Sequence, residues 1–445
     1  MAVGNINLEA LMSRANIFFT SGYRLYGDVD VAALQESYAV IVGAVEKFQH
    51  GLRFQAQNDY AWCEAEGEGL TLGLRECDDV DTAFGELCRE SLSFHGEQRH
   101  CPMSLTLLRN RHDARDVILA QTCEHTYVDA RGAESVLNLI VDHYNATLRG
   151  DGAAASAALA AARNMSTLSG HDMAGLLAGA GHDRDANLAH LQAYPVADAG
   201  QFAIQPGQVP DLLEQYQRQR FAPLVRYHDI ASLLQACRAQ YPEVTQNSVV
   251  CAALAKGVHD INVAQRGVAS GHTVSFKMLS DLLAPSMRAQ YCGNYIAFVP
   301  VSVDGSLPMA ELAKAIHDRI RHFKESQLDL TIFKLTEEAV DAALVGQEAV
   351  TDPLAFVVTN WNNYRFLGDE EYLHGCRSVR HQSGVNIAPK DALGAGLVNR
   401  PVMVINMSAK LELCLSFFPS LRAQEENLAV ADAIGAVFAQ HDATA

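Results

Sequence analysis

The residues best placed to do chemistry are His125 and Asp129, four apart in Thr122-Cys123-Glu124-His125-Thr126-Tyr127-Val128-Asp129-Ala130-Arg131-Gly132. A neutral imidazole can take a proton near pH 7, which is the work of a general base. A carboxylate four residues on can hold the loop around that base. Each residue also has an ordinary reading: Asp129 as a helix N-cap accepting backbone N–H bonds, and His125 as a satisfied, half-buried ring. Spacing alone does not choose between them, because His112 and Asp116 repeat the pattern in the charged turn 109–116, which reads as a solvated hairpin tip. Cys123 shares the face of His125 if the strand alternates, yet a structural cysteine is the simpler expectation for it.

The elements that must position these groups are legible around them. The apolar run Val117-Ile118-Leu119-Ala120 reads as a buried strand. Ala133, Leu137, Ile140 and Tyr144 recur at helical spacing. His125 therefore sits where a strand ends, and Asp129 just ahead of a helix; strand-end loops are where a rigid scaffold holds out reactive side chains. Upstream, 16–26 reads as a strand, followed by a helix striped with Leu34, Tyr38, Ile41, Val45 and Phe48. Short strands follow at 52–55 and 60–63, then a helix over 79–92 and a hairpin of 103–108 with 117–122.

From Gly150 to about Gly200 the composition shifts to Ala, Gly, His and Asp, which suggests a linker with some short helices. Beyond it, a helix from Asp229 and a buried helix capped by Thr245 precede strands at 273–278 and 296–301, with a loop over 284–295 between the strands. An amphipathic helix covers 311–323. A buried strand ends in Thr359-Asn360-Trp361, 403–407 and 411–417 alternate as a hairpin, and Leu428, Ala431, Ile434 and Phe438 mark a closing helix. Each half mixes sheet and helix, so the expected fold is an α/β sandwich in duplicate. The expected domains are 1–175 and 206–445, joined by a linker at 176–205.

At 445 residues the chain suits two domains. Its 49% hydrophobic and 19% charged content is that of an ordinary globular protein. A formal charge of −18 argues against a nucleic-acid footprint, which needs a basic face. No apolar run is long enough to span a bilayer, and the N-terminus lacks the basic start and apolar run of a signal peptide. Ten cysteines are scattered with no Cys-x-x-Cys pair, so neither a zinc framework nor a disulfide scaffold is expected. A reduced, cytoplasmic setting fits that usage.

Several landmarks, in this order, resemble the chloramphenicol acetyltransferase-like superfamily, which includes BAHD acyltransferases and the condensation domains of nonribosomal peptide synthetases. The His-x-x-x-Asp signature of that group, often HHxxxDG, reads here Glu124-His125-Thr126-Tyr127-Val128-Asp129-Ala130. The segment from Tyr23 to Leu34 resembles its opening strand and helix, Tyr291-Cys292-Gly293-Asn294-Tyr295 its second-half loop, and Thr359-Asn360-Trp361 the strand end that carries threonine, serine and tryptophan in BAHD enzymes. Glu124 replaces the first motif histidine, Ala130 replaces the glycine, and the BAHD Asp-Phe-Gly-Trp-Gly motif is not present. A stand-alone condensation-type or broader acyltransferase fits better than a true BAHD enzyme.

The resemblance implies two similar halves enclosing a tunnel, with the histidine midway. An acyl thioester on CoA or on a carrier-protein phosphopantetheine arm would enter from one mouth, and an amine or alcohol from the other. His125 would be the general base, with Thr359, Asn360 and Trp361 the candidate oxyanion or substrate groups. Asp129 would be structural, paired with an arginine for which Arg24 is one candidate. Asn294 would hold the inter-domain loop, Asp281 could pair with Arg288, and Glu124 would be a supporting carboxylate or one that orients His125 or meets an amine. No separate cofactor or metal is implied, and a monomer is expected. The alternatives are a non-catalytic relative binding a carrier protein or ligand, and a relative that cyclises or dehydrates a tethered intermediate.

Overall fold

Strand β1 (Ile17–Gly27) is the axis of the first lobe, and its burial on both faces explains its apolar and aromatic content. One face, carrying Phe19, Tyr23 and Leu25, packs under the helices Val31–Ala44 and Ala130–Leu148. The other face meets the helix Val80–Phe94. Gly22 makes that second contact possible: a Cβ there would stand 2.6 Å from the Phe84 ring. In this computed structural model the described residues are 7–56, 59–64, 70–94, 102–166, 184–194, 210–212, 214–215, 224–341, 355–362, 364–387, 401–408, 410–418 and 424–442.

The remaining strands are β2 (His50–Ala56), β3 (Asp59–Glu64), β4 (Gly73–Cys77), β5 (Met103–Asn110), β6 (Asp116–Glu124), β7 (Leu224–Asp229), β8 (Thr273–Asp281), β9 (Ile296–Asp304), β10 (Phe356–Asn360), β11 (Glu371–Leu373), β12 (Cys376–Ile387), β13 (Val402–Met407) and β14 (Glu412–Phe418). Among the described residues, β1 and these strands form two six-stranded sheets, β11-β12-β1-β6-β5-β4 and β7-β14-β13-β10-β8-β9, with β2 and β3 as a separate ribbon. In the second sheet β10 runs parallel to both β8 and β13. The helix Gln246–Arg266 fills the core of that lobe; Thr245 and Ser248 cap its start and Gly267, at φ +66°, ends it. Gly257 lets it cross the closing helix Gln424–Asp442, because a Cβ would meet Ile434 at 2.6 Å.

The two lobes expected from the sequence are present, but the division by residue number is corrected in one place. β11 and β12 come from the second half of the chain yet belong to the first sheet, with β12 paired to β1 from Ile17↔Ile387 to Gly27↔Cys376. An edge strand accepts any partner of matching register, however far off in sequence. The alanine-rich stretch after Gly150 begins with one of the short helices expected there, inside the first lobe. Residues Gly152–Asn164 form a helix capped by Asp151, and it buries Ala158 and Ala162 beneath its neighbours. Of the expected linker, only residues 184–194 are described; they carry the helix Arg184–Ala193. Among the described residues, no helix is long and apolar enough to cross a membrane.

Candidate active site

The chain leaves β6 at Glu124, and the His125 backbone N–H donates to the Ile17 carbonyl of β1 at 2.8 Å. Asp129 then caps the helix Ala130–Leu148, with its Oδ1 accepting from the Gly132 N–H at 2.8 Å. Its other oxygen accepts from the Tyr295 N–H at 3.0 Å, and its own N–H donates to the Gly293 carbonyl at 2.9 Å. One aspartate thus caps a first-half helix and ties down a second-half loop. That loop is also held by Ser166, whose backbone exchanges hydrogen bonds with Gln290 and Cys292.

Arg24 is not the partner of Asp129. Its guanidinium bonds Asp116 at 3.0 Å and Asp81 at 2.7 Å, on the face of the sheet away from the site. The arginine near Asp129 is Arg288, at 4.0 Å, which also pairs with Asp281 as expected from the sequence. Glu124 accepts a hydrogen bond from the Thr126 hydroxyl at 3.0 Å and is not among the residues around the cavity described below. Cys123 is fully buried in the core of the first lobe, as expected of a structural cysteine.

Asn294 settles the state of the His125 ring. Its amide nitrogen donates to the carbonyls of His125 at 2.8 Å and Thr126 at 3.3 Å. Turning the amide over would set its oxygen against two carbonyl oxygens, so the nitrogen must face them. Its Oδ1 then lies 2.8 Å from His125 Nδ1 and can only accept. A neutral His125 therefore carries its proton on Nδ1, which leaves Nε2 as the basic lone pair. The edge of Phe19, 5.2 Å away between centroids, steadies the ring. Burial pushes the imidazole below its usual pKa, against smaller upward pulls from its own backbone, from Asp129 and from Asn294. That shift favours the neutral ring.

His125 lines a cavity of about 210 Å³ between the lobes. Most of its wall is apolar, from Met12, Ile17, Leu279, Ile296, Phe298, Val385 and Val404 among others. The polar exceptions besides His125 are Asp129, Arg131, Ser280, Asp281, Arg288, Thr359 and Asn360. Thr359, Asn360 and Trp361 all reach the cavity, but they are differently engaged. Thr359 Oγ1 accepts the Trp361 indole N–H at 3.1 Å, which leaves the threonine hydroxyl hydrogen to donate elsewhere. The Asn360 amide donates to Asn247 Oδ1 and accepts from the Asn362 N–H, both at 2.8 Å, so it mainly braces the strand end.

Arg131 and Met12 are cavity residues that sequence reasoning did not single out. Arg131 lies two residues past the motif aspartate, which was the signal available. It is held by Glu134 at 3.0 Å, by the Asn362 carbonyl, and by stacking on Tyr364 at 4.6 Å. Met12 comes from the helix Asn7–Ala15 and carried no signal. Among the described residues no cluster of His, Cys, Asp and Glu could hold a metal ion.

No protein-family model matches the chain, and no curated protein sequence matches it. Solved structures do. Polyketide synthase associated protein 5 from Mycobacterium tuberculosis is 14% identical at a TM-score of 0.62, covering 98% of each chain. The first condensation domain of the calcium-dependent antibiotic synthetase, in complex with a substrate analogue, is 13% identical at 0.65, covering 99% of this chain and 95% of that one. F. sporotrichioides TRI101, complexed with Coenzyme A and T-2, is 10% identical at 0.56, covering 94% of both. With its two-lobed α/β architecture and these full-length likenesses, the chain has the chloramphenicol acetyltransferase-like fold.

Proposed function

We propose that this protein is a condensation-type acyltransferase that moves an acyl group from a CoA or carrier-protein thioester to an amine or alcohol. The observation that carries the reading is the His125 ring at a largely apolar cavity between the lobes, its Nδ1–H bound by Asn294 and its Nε2 without a hydrogen-bond partner among the described residues. Nε2 takes the proton of the acceptor N–H or O–H as that atom attacks the thioester carbonyl. The new bond sends the carbonyl electron pair to oxygen, and the Thr359 hydroxyl donates to that oxyanion. The tetrahedral adduct then collapses, the C–S bond breaks, and the departing thiolate takes the proton back from the imidazolium. Protons balance and the base is restored, so the reaction needs no metal or redox cofactor.

Asp129 and Asn294 are positioning residues in this reading, since both bind the loops that carry His125 rather than the substrates. The solved complex of TRI101 with Coenzyme A and T-2 supports a CoA thioester as donor on this scaffold. The test offers a panel of acyl-CoA and acyl-carrier thioesters with amines and alcohols, and detects products by intact mass. Transfer by the native chain, lowered about 10²- to 10⁴-fold in a folded His125→Ala variant, supports the proposal. Equal product from the two proteins overturns it.

A further inference from the structure

The cavity wall changes character along one strand of the second sheet. Thr359 and Val357 stand on the same face of β10, about 6.6 Å apart along the strand. On β13, Val404 is paired with Thr359 and Val402 with Val357, and all four line the cavity. β8 runs parallel to β10, so its C-terminal end lies toward Trp361 and away from Val357. That end carries Asp281, bound to Arg288, and both reach the cavity. From the Thr359 hydroxyl the wall is therefore charged in one direction and aliphatic in the other.

The aliphatic direction has room for a ligand. Val357 and Val402 are only half-buried, whereas Val358 and Met403, next to them but on the opposite face, are closed off in the core of the lobe. The first lobe adds Val385 and the pair Ile17 and Ile387, matched across β1 and β12. Val385 packs against the core that holds Val404 and also against the one that holds Ile17 and Ile387, so the aliphatic wall runs on from one lobe to the other. Apolar surface of this kind favours an occupant that takes the place of water.

We propose that Val357 and Val402 form the acyl-chain wall and make the donor a linear, saturated acyl thioester of medium length. The inference rests on the acyltransferase reading, which puts the donor's carbonyl oxygen at the Thr359 hydroxyl. The carbonyl carbon then has a sulfur and an alkyl chain to place. The sulfur leads to an arm with amide groups, which the charged end can hydrogen-bond. The alkyl chain gains from the aliphatic end, where each methylene leaves water. At roughly 30 Å³ for a water-sized group, a cavity of about 210 Å³ takes about seven such groups, which sets the acyl chain at about six to eight carbons.

The test is calorimetric titration of the full chain with 2-oxoalkyl-CoA thioethers, which keep the carbonyl and cannot transfer it, matching acetyl, butanoyl, hexanoyl, octanoyl and dodecanoyl groups. Affinity should rise about two- to fourfold per methylene as far as the hexanoyl-to-octanoyl range and then level off. In Val357→Phe or Val402→Phe the rise should stop near butanoyl, because the ring fills the space of the outer carbons. Val357→Ala, which serves if neither Phe variant folds, should carry the rise on past octanoyl. Equal affinity across the series, no binding of any member, or a rise that ends at the same length in the folded variants overturns the inference. So does a rise among alkylamines from ethylamine to octylamine that the acyl series lacks, which would give the wall to the acceptor. Because binding is read without turnover, the two readings fail separately. A chain-length profile in a protein that transfers no acyl group would sink the transferase reading and keep the aliphatic subsite. Transfer with no chain-length preference would sink the subsite and keep the transferase reading.

Discussion

Asn294→Ala isolates the contact on which the chemistry turns. The substitution removes the acceptor of His125 Nδ1–H and the donor that satisfies the carbonyls of His125 and Thr126. Three hydrogen bonds at about 1 kcal/mol each put the stability loss near 3 kcal/mol, more if the carbonyls stay dry. The effect on rate is separate. Only the tautomer with a bare Nε2 can act as base, and the Asn294 bond favours it. Losing about 1–2 kcal/mol of that bias lowers kcat roughly 5- to 30-fold.

The pH profile separates this from simple loosening. Activity should fall as pH drops through the pKa of His125, which burial holds below the usual histidine value. Asn294 pulls that pKa upward, so Asn294→Ala should move the acid limb lower still. Asn294→Asp keeps an oxygen for Nδ1–H and adds a charge, so its limb should move upward while its stability falls as a carboxylate oxygen faces two carbonyls. The assay is kcat against pH with one acyl-CoA and one amine, alongside urea unfolding. A folded Asn294→Ala with kcat within about twofold of the native chain would refute the reasoning.

Thr359→Val should lower kcat about 10²-fold, the size of a lost oxyanion donor, while Thr359→Ser recovers most of it; steady-state kinetics with the same pair of substrates checks this. Asp129→Ala removes a helix cap and leaves the buried Tyr295 N–H without its acceptor, so it should cost about 2–4 kcal/mol in urea unfolding and lower turnover by displacing the His125 loop. His381 links stability to pH. Its folded pKa of about 3 lies below the unfolded value near 6.5, so the unfolded chain binds more protons as pH falls and stability is lost below about pH 6.5. Between pH 7 and 5 that one ring should cost about 2 kcal/mol, and His381→Phe should flatten this part of the unfolding free energy.

The amino-acid order by itself determined what short-range physics governs. The strand into His125, the helix capped by Asp129, the helix capped by Thr245 and the strand ending at Thr359 all follow from hydrophobic period and capping chemistry, which act within a few residues. The alanine-rich helix Gly152–Asn164, one of the short helices expected there, follows from the same signals: alanine favours helix and Asp151 caps it.

Tertiary structure decided the rest. Asn294 meets His125 across 169 residues, and nothing local in either segment specifies the match. Arg24 found Asp81 and Asp116 rather than Asp129, because the sheet sets the side on which its side chain emerges. β12, whose polar interior residues blunt the alternating pattern of a strand, was recognisable only by the backbone ladder it completes with β1. Backbone hydrogen bonds are indifferent to the distance along the chain between the strands they join. Which distant groups share a cavity is therefore fixed by how the two lobes close, not by any segment alone.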